Sequence, residues 1–244
     1  MNRGRIRVGT SGWHYDHWRG PFFPGDLPKE RWLEFYAEKF DTVEINNSFY
    51  SLPERKTFES WKSAAGSGFV FSVKASRYIT HMKKLKDPDE PVGKFMERAR
   101  ALGGSLGPVL FQLPPSWKVN AERLEEFIGH LPGRRRYTFE FRDRTWFGGS
   151  VYRILEEAGA AFCIYDIGGE TSPKKVTADF VYVRLHGPSE AYKGSYSAQA
   201  LAGWAGAASS WAAKGLDVFC YFDNDEAGYA ADNAGRLRDM VESG

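Results

Sequence analysis

At 244 residues the chain is long enough to bury one sizeable core, and 42% hydrophobic residues with a net charge of +2 exclude disorder. The 33 basic and 31 acidic residues nearly balance, which excludes a nucleic-acid binder working by bulk charge alone and leaves room only for a local basic patch. Two cysteines without a CxxC pair exclude a disulfide scaffold and a ribbon-type zinc site.

Short β-rich runs recur with helical stretches between them. The first run is Ile6 to Gly9, followed by a Pro/Gly-rich loop (Gly20 to Pro28) and a helical stretch, Lys29 to Lys39. Strand two, Thr42 to Asn46, precedes a helix at Thr57 to Ala65; strand three, Phe69 to Ala75, precedes one at Val92 to Leu102. Strand four (Val109 to Leu113) leads to Ala121 to His130, and strand five (Tyr137 to Arg142) to Val151 to Ala158. After strand six, Phe162 to Asp166, the stretch 167–179 lacks helical periodicity, and Pro173 argues against a long helix. Strand seven (Phe180 to His186) and strand eight (Val218 to Asp223) are followed by helices at Ala198 to Lys214 and Ala227 to Val241. This α/β pattern predicts a single (β/α)8 TIM-type barrel over residues 1–244, close to the ~250 residues of a plain barrel. A doubly wound open sheet is the alternative, but no GxGxxG opens any helix.

No linker divides the chain. Leu201, Trp204, Ala208 and Trp211 fall at helical spacing and predict a buried face. Cys163 and Cys220, on strands separated by a third, are expected ~9.6 Å apart, beyond disulfide reach. Charged, strand-like sequence from Arg3 to Arg7 in place of an apolar leader, and the absence of a ~20-residue apolar run, point to a soluble cytoplasmic protein without membrane contact.

Alternation along each strand tells which side chains enter the barrel. The inward set is Glu44 and Asn46; Ser72 and Lys74; Gln112; Thr138, Glu140 and Arg142; Tyr182, Arg184 and His186; Tyr221 and Asp223. Strand six is ambiguous in phase and ends on Asp166. A barrel interior is ordinarily branched and apolar, so Glu44, Lys74, Glu140, Arg142, Arg184, His186 and Asp223 must either pair into an ionic plug or line a solvated pocket. Most of them end their strands, where barrel enzymes build their sites. The adjoining loops add Trp13, Tyr15, Trp18, Arg77, His81, Trp146, Tyr192 and a basic run, Lys83, Lys84 and Lys86. Trp18, Phe22 and Phe23 are expected to close the first loop. Arg134-Arg135-Arg136, at the opposite end, reads as a solvated charge run.

These segments resemble the YecE-like family, catalogued as domain of unknown function 72. Gly9-Thr10-Ser11-Gly12-Trp13 with Tyr15 and Trp18, Thr42-Val43-Glu44-Ile45-Asn46 through Tyr50, and Val73-Lys74-Ala75 with Arg77, Ile79, Thr80 and His81 carry the first half. Leu110 to Pro115, Glu140-Phe141-Arg142 with Trp146, Val183 to Gly187, and Tyr221-Phe222 with Asn224, Gly228, Asn233 and Ala234 carry the second. The resemblance implies a (β/α)8 barrel and no particular activity. Two positions depart from the family pattern: Asp143, where His is usual, and Asp223, where Asn is usual.

No GxSxG, HExxH or GxxxxGK[ST] motif is present, and no cofactor is implied. Strands four and seven hold Gln112 and His186 where barrel glycosidases commonly place carboxylates. Glu44, Glu140, Asp166, His186 and Asp223 include metal-ligand types, but three cations at the same mouth oppose a metal. Those cations suit a small anionic ligand instead, with Arg142 and Arg184 holding a phosphate or carboxylate and Lys74 adding a point charge. With Glu140, His186, Lys74 and Asp223 as the catalytic set, the leading expectation is an acid–base hydrolase or lyase. A single-stranded nucleic-acid module using the aromatic first loop and basic third loop, or a metabolite sensor, are the alternatives. Two finer expectations follow: an anion bound by Gly187, Lys193, Gly194, Asn224 and Gly228 with Arg184, and a cost below about 1 kcal/mol for Glu140→Gln if the pocket is open.

Overall fold

The computed structural model describes residues 3–133 and 135–243. Eight parallel strands form it: β1 (Ile6–Thr10), β2 (Thr42–Ile45), β3 (Val70–Lys74), β4 (Leu106–Gln112), β5 (Tyr137–Glu140), β6 (Ala161–Ile167), β7 (Phe180–Leu185) and β8 (Asp217–Phe222). They pair in sequence from β2 to β8, and β8 then pairs with β1. Among the described residues seven α-helices of six or more residues pack outside: α1 (Trp32–Ala37), α2 (Arg55–Ala65), α3 (Asp89–Ala99), α4 (Ala121–Gly129), α5 (Gly149–Ala158), α6 (Ala198–Ala213) and α7 (Tyr229–Glu242). The expected (β/α)8 barrel is therefore the fold.

The seam between β1 and β2 closes by different means from the other seven. A Cβ on Gly9 would lie 2.3 Å from the Thr42 carbonyl oxygen, so only glycine lets the two backbones approach there. Just above, Tyr36 of α1 inserts its hydroxyl, accepting from Thr10 N–H at 2.9 Å and donating to the Thr42 carbonyl at 3.1 Å. Gly12 N–H then donates to the Glu44 carbonyl at 2.8 Å. This fixes Glu44 at the mouth next to the first loop.

The β6–β7 connection has no helix, as its sequence predicts. Glu170–Thr171 instead pairs antiparallel with the end of β6. Ser172 and Thr177 accept from the backbone N–H groups of Tyr165 and Phe162, each at 2.8 Å. Hydroxyl side chains thus satisfy main-chain groups that a barrel helix would leave to the neighbouring strand.

Apolar side chains on the outer strand faces form one large core with the helices, including the expected Leu201, Trp204, Ala208 and Trp211. A smaller cluster (Leu110, Ala161, Cys163, Phe180, Tyr182, Phe219 and Tyr221) fills the lower barrel. Cys163 belongs to this inner cluster and Cys220 to the outer core, so the two thiols face opposite sides of the sheet. Arg136 closes the bottom over Phe180 and Phe219, 5.4 and 5.5 Å from the ring centres, and pairs with Asp217 at 2.7 Å. That corrects the reading of the arginine run as merely solvated, since an arginine stem can cover apolar surface; Arg134 lies outside the described residues.

Above the apolar layer the interior turns polar in steps. Tyr221 meets the Thr42 hydroxyl at 2.7 Å, and Tyr182 meets that of Ser72 at 2.6 Å. Tyr182 also donates to Glu44 at 2.6 Å. The first loop packs as expected, with Trp18 and Phe23 buried and Phe23 stacked on Trp32 at 4.5 Å. No described helix is long and apolar enough to cross a membrane.

Candidate functional site

Arg184, projecting inward from the upper end of β7, organises the mouth. Its Nη1 donates to Glu140 Oε2 at 2.8 Å, and its Nη2 donates to Glu44 Oε1 at 2.7 Å, Asp223 Oδ2 at 3.0 Å and Ser11 Oγ at 3.1 Å. Arg142 Nε contacts the other oxygen of Glu140. Arg184, Glu44, Glu140 and His186 are wholly buried. Ions so enclosed survive only by mutual pairing. Burial alone would raise the Glu140 carboxyl, but Arg142, Arg184 and His186 outweigh it and hold the group well below the carboxylate range. Burial likewise opposes the Arg184 charge, and Glu44, Glu140 and Asp223 restore it.

His186 is locked within this network. Arg142 Nη2 and Arg184 Nη1 point at its Nε2, at 3.0 and 3.3 Å. The ring proton therefore sits on Nδ1, which donates to Asp223 Oδ2 at 3.0 Å. With both nitrogens engaged and no exposed surface, the imidazole orients Asp223. The expected transfer of a proton from His186 to substrate finds neither ring nitrogen open in this arrangement.

Three inward charged groups reach the surface of the mouth: Lys74 with a residue exposure of 8%, and the side chains of Arg142 and Asp223 at 9% and 14%. Asp223 stays ionised: burial pushes it up, but Arg184, the His186 hydrogen bond and Lys74 pull it lower still. Lys74 differs from both arginines. Its Nζ lies 4.2 Å from the Phe49 ring centre, and among the described residues it has no ion pair or hydrogen bond. Burial, then the Arg184 charge, bring its ammonium down to about 8 against the pull of Glu140, Glu44 and Asp223. One step beyond the Ile45–Val73 pair, Asn46 flanks it just after β2, with a buried Oδ1 that also lacks a partner. His81 sits edge-on to the same Phe49 ring at 5.1 Å, lowered by burial and by the charges of Lys74 and Arg77.

The other expected site residues divide. Gln112, half-buried, lies beside Glu140 across the β4–β5 pair, Arg77 is exposed at the rim, and Tyr15 donates to the Ser11 carbonyl at 2.6 Å. Tyr192, half exposed at φ 67°, stands edge-on to His186 at 5.5 Å. Trp13 and Trp146 are buried packing residues; the first lies against Trp61, and the second donates to the Trp117 carbonyl at 2.6 Å. Asn224 is buried too, donating to Gly194 O and Asn233 Oδ1, and so ties the last two loops together.

The expected anion site in those loops is not formed. Both terminal nitrogens of Arg184 already meet carboxylates, Gly187 N–H donates to Tyr196, and Gly194 N–H faces Glu226 at 3.3 Å. Asp166, a residue of metal-ligand type, points out of the barrel and accepts from Tyr196 and Thr171. Among the described residues no group of three or more His, Cys, Asp or Glu side chains is placed to hold a metal ion. Sequence reasoning misses Phe49 and Tyr165, the latter lying 5.1 Å beneath the Arg142 guanidinium. Ala161 and Cys163 share its inward phase, and the small residues conceal it.

A cleft of about 770 Å³ opens toward the opposite end of the barrel between α4, α5 and the 176–179 segment. It is lined by surface charges such as Arg135, Glu156 and Asp179 without a convergent polar cluster. The convergent charged groups lie instead at the C-terminal mouth, the end at which barrel enzymes build their sites.

Glu140 bridges two guanidinium groups, so Glu140→Gln is expected to cost about 3–5 kcal/mol at neutral pH, reversing the open-pocket expectation. Because the folded carboxyl is depressed, the wild-type advantage is full above the unfolded value and fades only as pH falls through the folded one. Urea unfolding at several pH values measures it; a loss below about 1 kcal/mol would show the network to be hydrated. Lys74 has the opposite sign. Depressing its ammonium from 10.5 to about 8 costs the fold on the order of 3 kcal/mol below the lower value, a cost that disappears as pH rises to the upper. Lys74→Met is therefore expected to stabilise the protein at neutral pH and to lose that advantage in alkali. A destabilised variant at neutral pH would show the ammonium to be paired.

The sequence matches the profile described as a protein of unknown function, DUF72, over residues 7–244. The chain is similar to the UPF0759 protein YunF of Bacillus subtilis, 24% identical over 270 residues, covering 97% of this chain and 95% of that one. UPF0759 protein YecE of Escherichia coli is 31% identical over 116 residues, 47% of this chain and 43% of YecE. A solved DUF72 family protein from Thermotoga maritima superposes with a TM-score of 0.89 at 27% identity, covering 98% of this chain and 99% of that chain. With its barrel, its ordered strand-end motifs and a profile match over almost its whole length, the chain belongs to the DUF72 family.

Proposed function

We propose that this barrel is an acid–base enzyme of the hydrolase or lyase class, acting on a small acidic ligand at the C-terminal mouth. The observation that carries the reading is Lys74, a buried amine without a protein partner beside an ionised Asp223. A group titrating near 8 exchanges protons close to neutrality, where general acid–base catalysis is most efficient. Arg142 and the exposed Arg77 supply positive charge for the acidic group of the ligand. Arg184, Glu44, Glu140 and His186 serve as positioning residues that hold Asp223 and Arg142 in place.

The nucleic-acid alternative is supported less, because Trp13, Trp18 and Phe23 of the first loop are buried and leave exposed aromatics such as Tyr78 and Tyr192 to the other loops. A sensor would bind the same ligand without consuming it. Purified protein is to be incubated with a panel of phosphoesters and sugar acids, with and without divalent metals, and depletion followed by mass spectrometry. At least one acidic compound is expected to be consumed, with a loss of about 10²-fold or more in Lys74→Met. No depletion across the panel, or equal depletion by Lys74→Met, would overturn the reading.

A further inference from the structure

We propose that Lys74 captures a carbonyl group, forming an imine with a small aldehyde or ketone that carries an acidic substituent. This rests on the acid–base reading above and names the reacting group of the substrate.

Imine formation needs an amine whose lone pair is free, held against an apolar wall and open to the ligand. Lys74 meets these conditions by geometry. Four of the six oxygens of Glu44, Glu140 and Asp223 accept hydrogen bonds from Arg184, Ser11, Tyr182 and His186, and a fifth, Glu140 Oε1, is ion-paired with Arg142. The Nζ engages none of them and lies over the Phe49 ring at 4.2 Å. A lysine retained for structure would compete for those oxygens; this one is left with an aromatic face and the mouth. The unpartnered Asn46 Oδ1, just after the adjacent strand, is a second polar group without a protein partner there. Arg77 and Arg142 provide for the acidic substituent.

The step balances. The Nζ lone pair attacks the carbonyl carbon, and the carbonyl oxygen takes up protons and leaves as water. The iminium carries the one positive charge that the ammonium carried, so the surrounding charges meet the same field before and after capture. Asp223, the ionised carboxylate at the mouth, takes the proton of an adjacent C–H bond, and the electron pair of that bond flows into the iminium to give a neutral enamine. Reprotonation and hydrolysis by water return the amine. The charged and titratable groups facing Lys74 are Glu44 on β2, Glu140 on β5, Arg184 on β7, Asp223 after β8, and Arg77 and His81 in its own loop.

The test is reductive trapping of the wild-type protein with cyanoborohydride and pyruvate, glyceraldehyde 3-phosphate or uncharged propanal, followed by peptide mass mapping. The adduct has the mass of the probe less one oxygen atom. Labelling at Lys74 is expected to exceed that at an exposed lysine such as Lys118 by about tenfold or more at neutral pH. Its rate should level off above about 8, whereas ordinary lysines continue to rise toward 10.5. The two acidic probes show whether a carboxylate or a phosphate is preferred, and propanal should react more slowly at Lys74 than the better of them. Labelling of Lys74 no faster than of Lys118, with panel turnover still lost in Lys74→Met, would overturn the imine and leave the acid–base reading standing. Equal labelling by propanal would overturn the acidic substituent. Neither preferential labelling nor turnover would overturn both readings.

Discussion

A guanidinium with no exposed surface, ringed by three carboxylates, sets the terms for the upper half of this barrel. Arg184 reaches Glu44, Glu140 and Asp223 from one strand, and so links β2, β5, β7 and the end of β8 across the barrel axis. Charges buried this way are poor sources of net stability compared with an apolar filling, yet removing one member is expensive. The network therefore specifies an arrangement more than it strengthens the fold. It holds Asp223 and Arg142 at the mouth, and by using the carboxylate oxygens it leaves Lys74 without an ion-pair partner.

Much of this architecture is legible in the amino-acid sequence. Eight strand runs, seven helical stretches and the irregular 167–179 connection follow from periodicity, because parallel strands and amphipathic helices write their burial into the chain. The inward set from β2, β3, β5, β7 and β8 follows from alternation alone. What alternation does not encode is which of the inward groups meet. Glu44 and Arg184 are 140 positions apart in sequence, and their 2.7 Å contact depends on barrel closure. The single question of plug or pocket thus has two answers: Arg184, Glu44 and Glu140 form a sealed plug, and Lys74, Arg142 and Asp223 form its open rim.

The departures from expectation have local causes. Trp146 and Asn224 follow strand ends as binding residues do, but their side-chain N–H groups serve loop backbone and a second asparagine. Asp166 takes the outer face because Tyr165, not its neighbour, continues the inward phase of Ala161 and Cys163. Phe49 escapes a sequence reading because a lone aromatic one turn beyond a strand carries no periodic signal. Only the fold shows that it lies beneath an amine.

The arrangement resembles a trade between stability and use. Apolar or neutral side chains at position 74 would spare the fold the cost of a buried ammonium, so the lysine is explained better by chemistry at the mouth than by packing. The most direct test of that account is the titration of the Lys74 side chain itself, followed by NMR of selectively ¹³C-labelled lysine with the signal assigned through Lys74→Arg. The account requires a midpoint near 8, well separated from the surface lysines near 10.5. A Lys74 signal that titrates with or above the surface lysines would place the ammonium in an ion pair and contradict it.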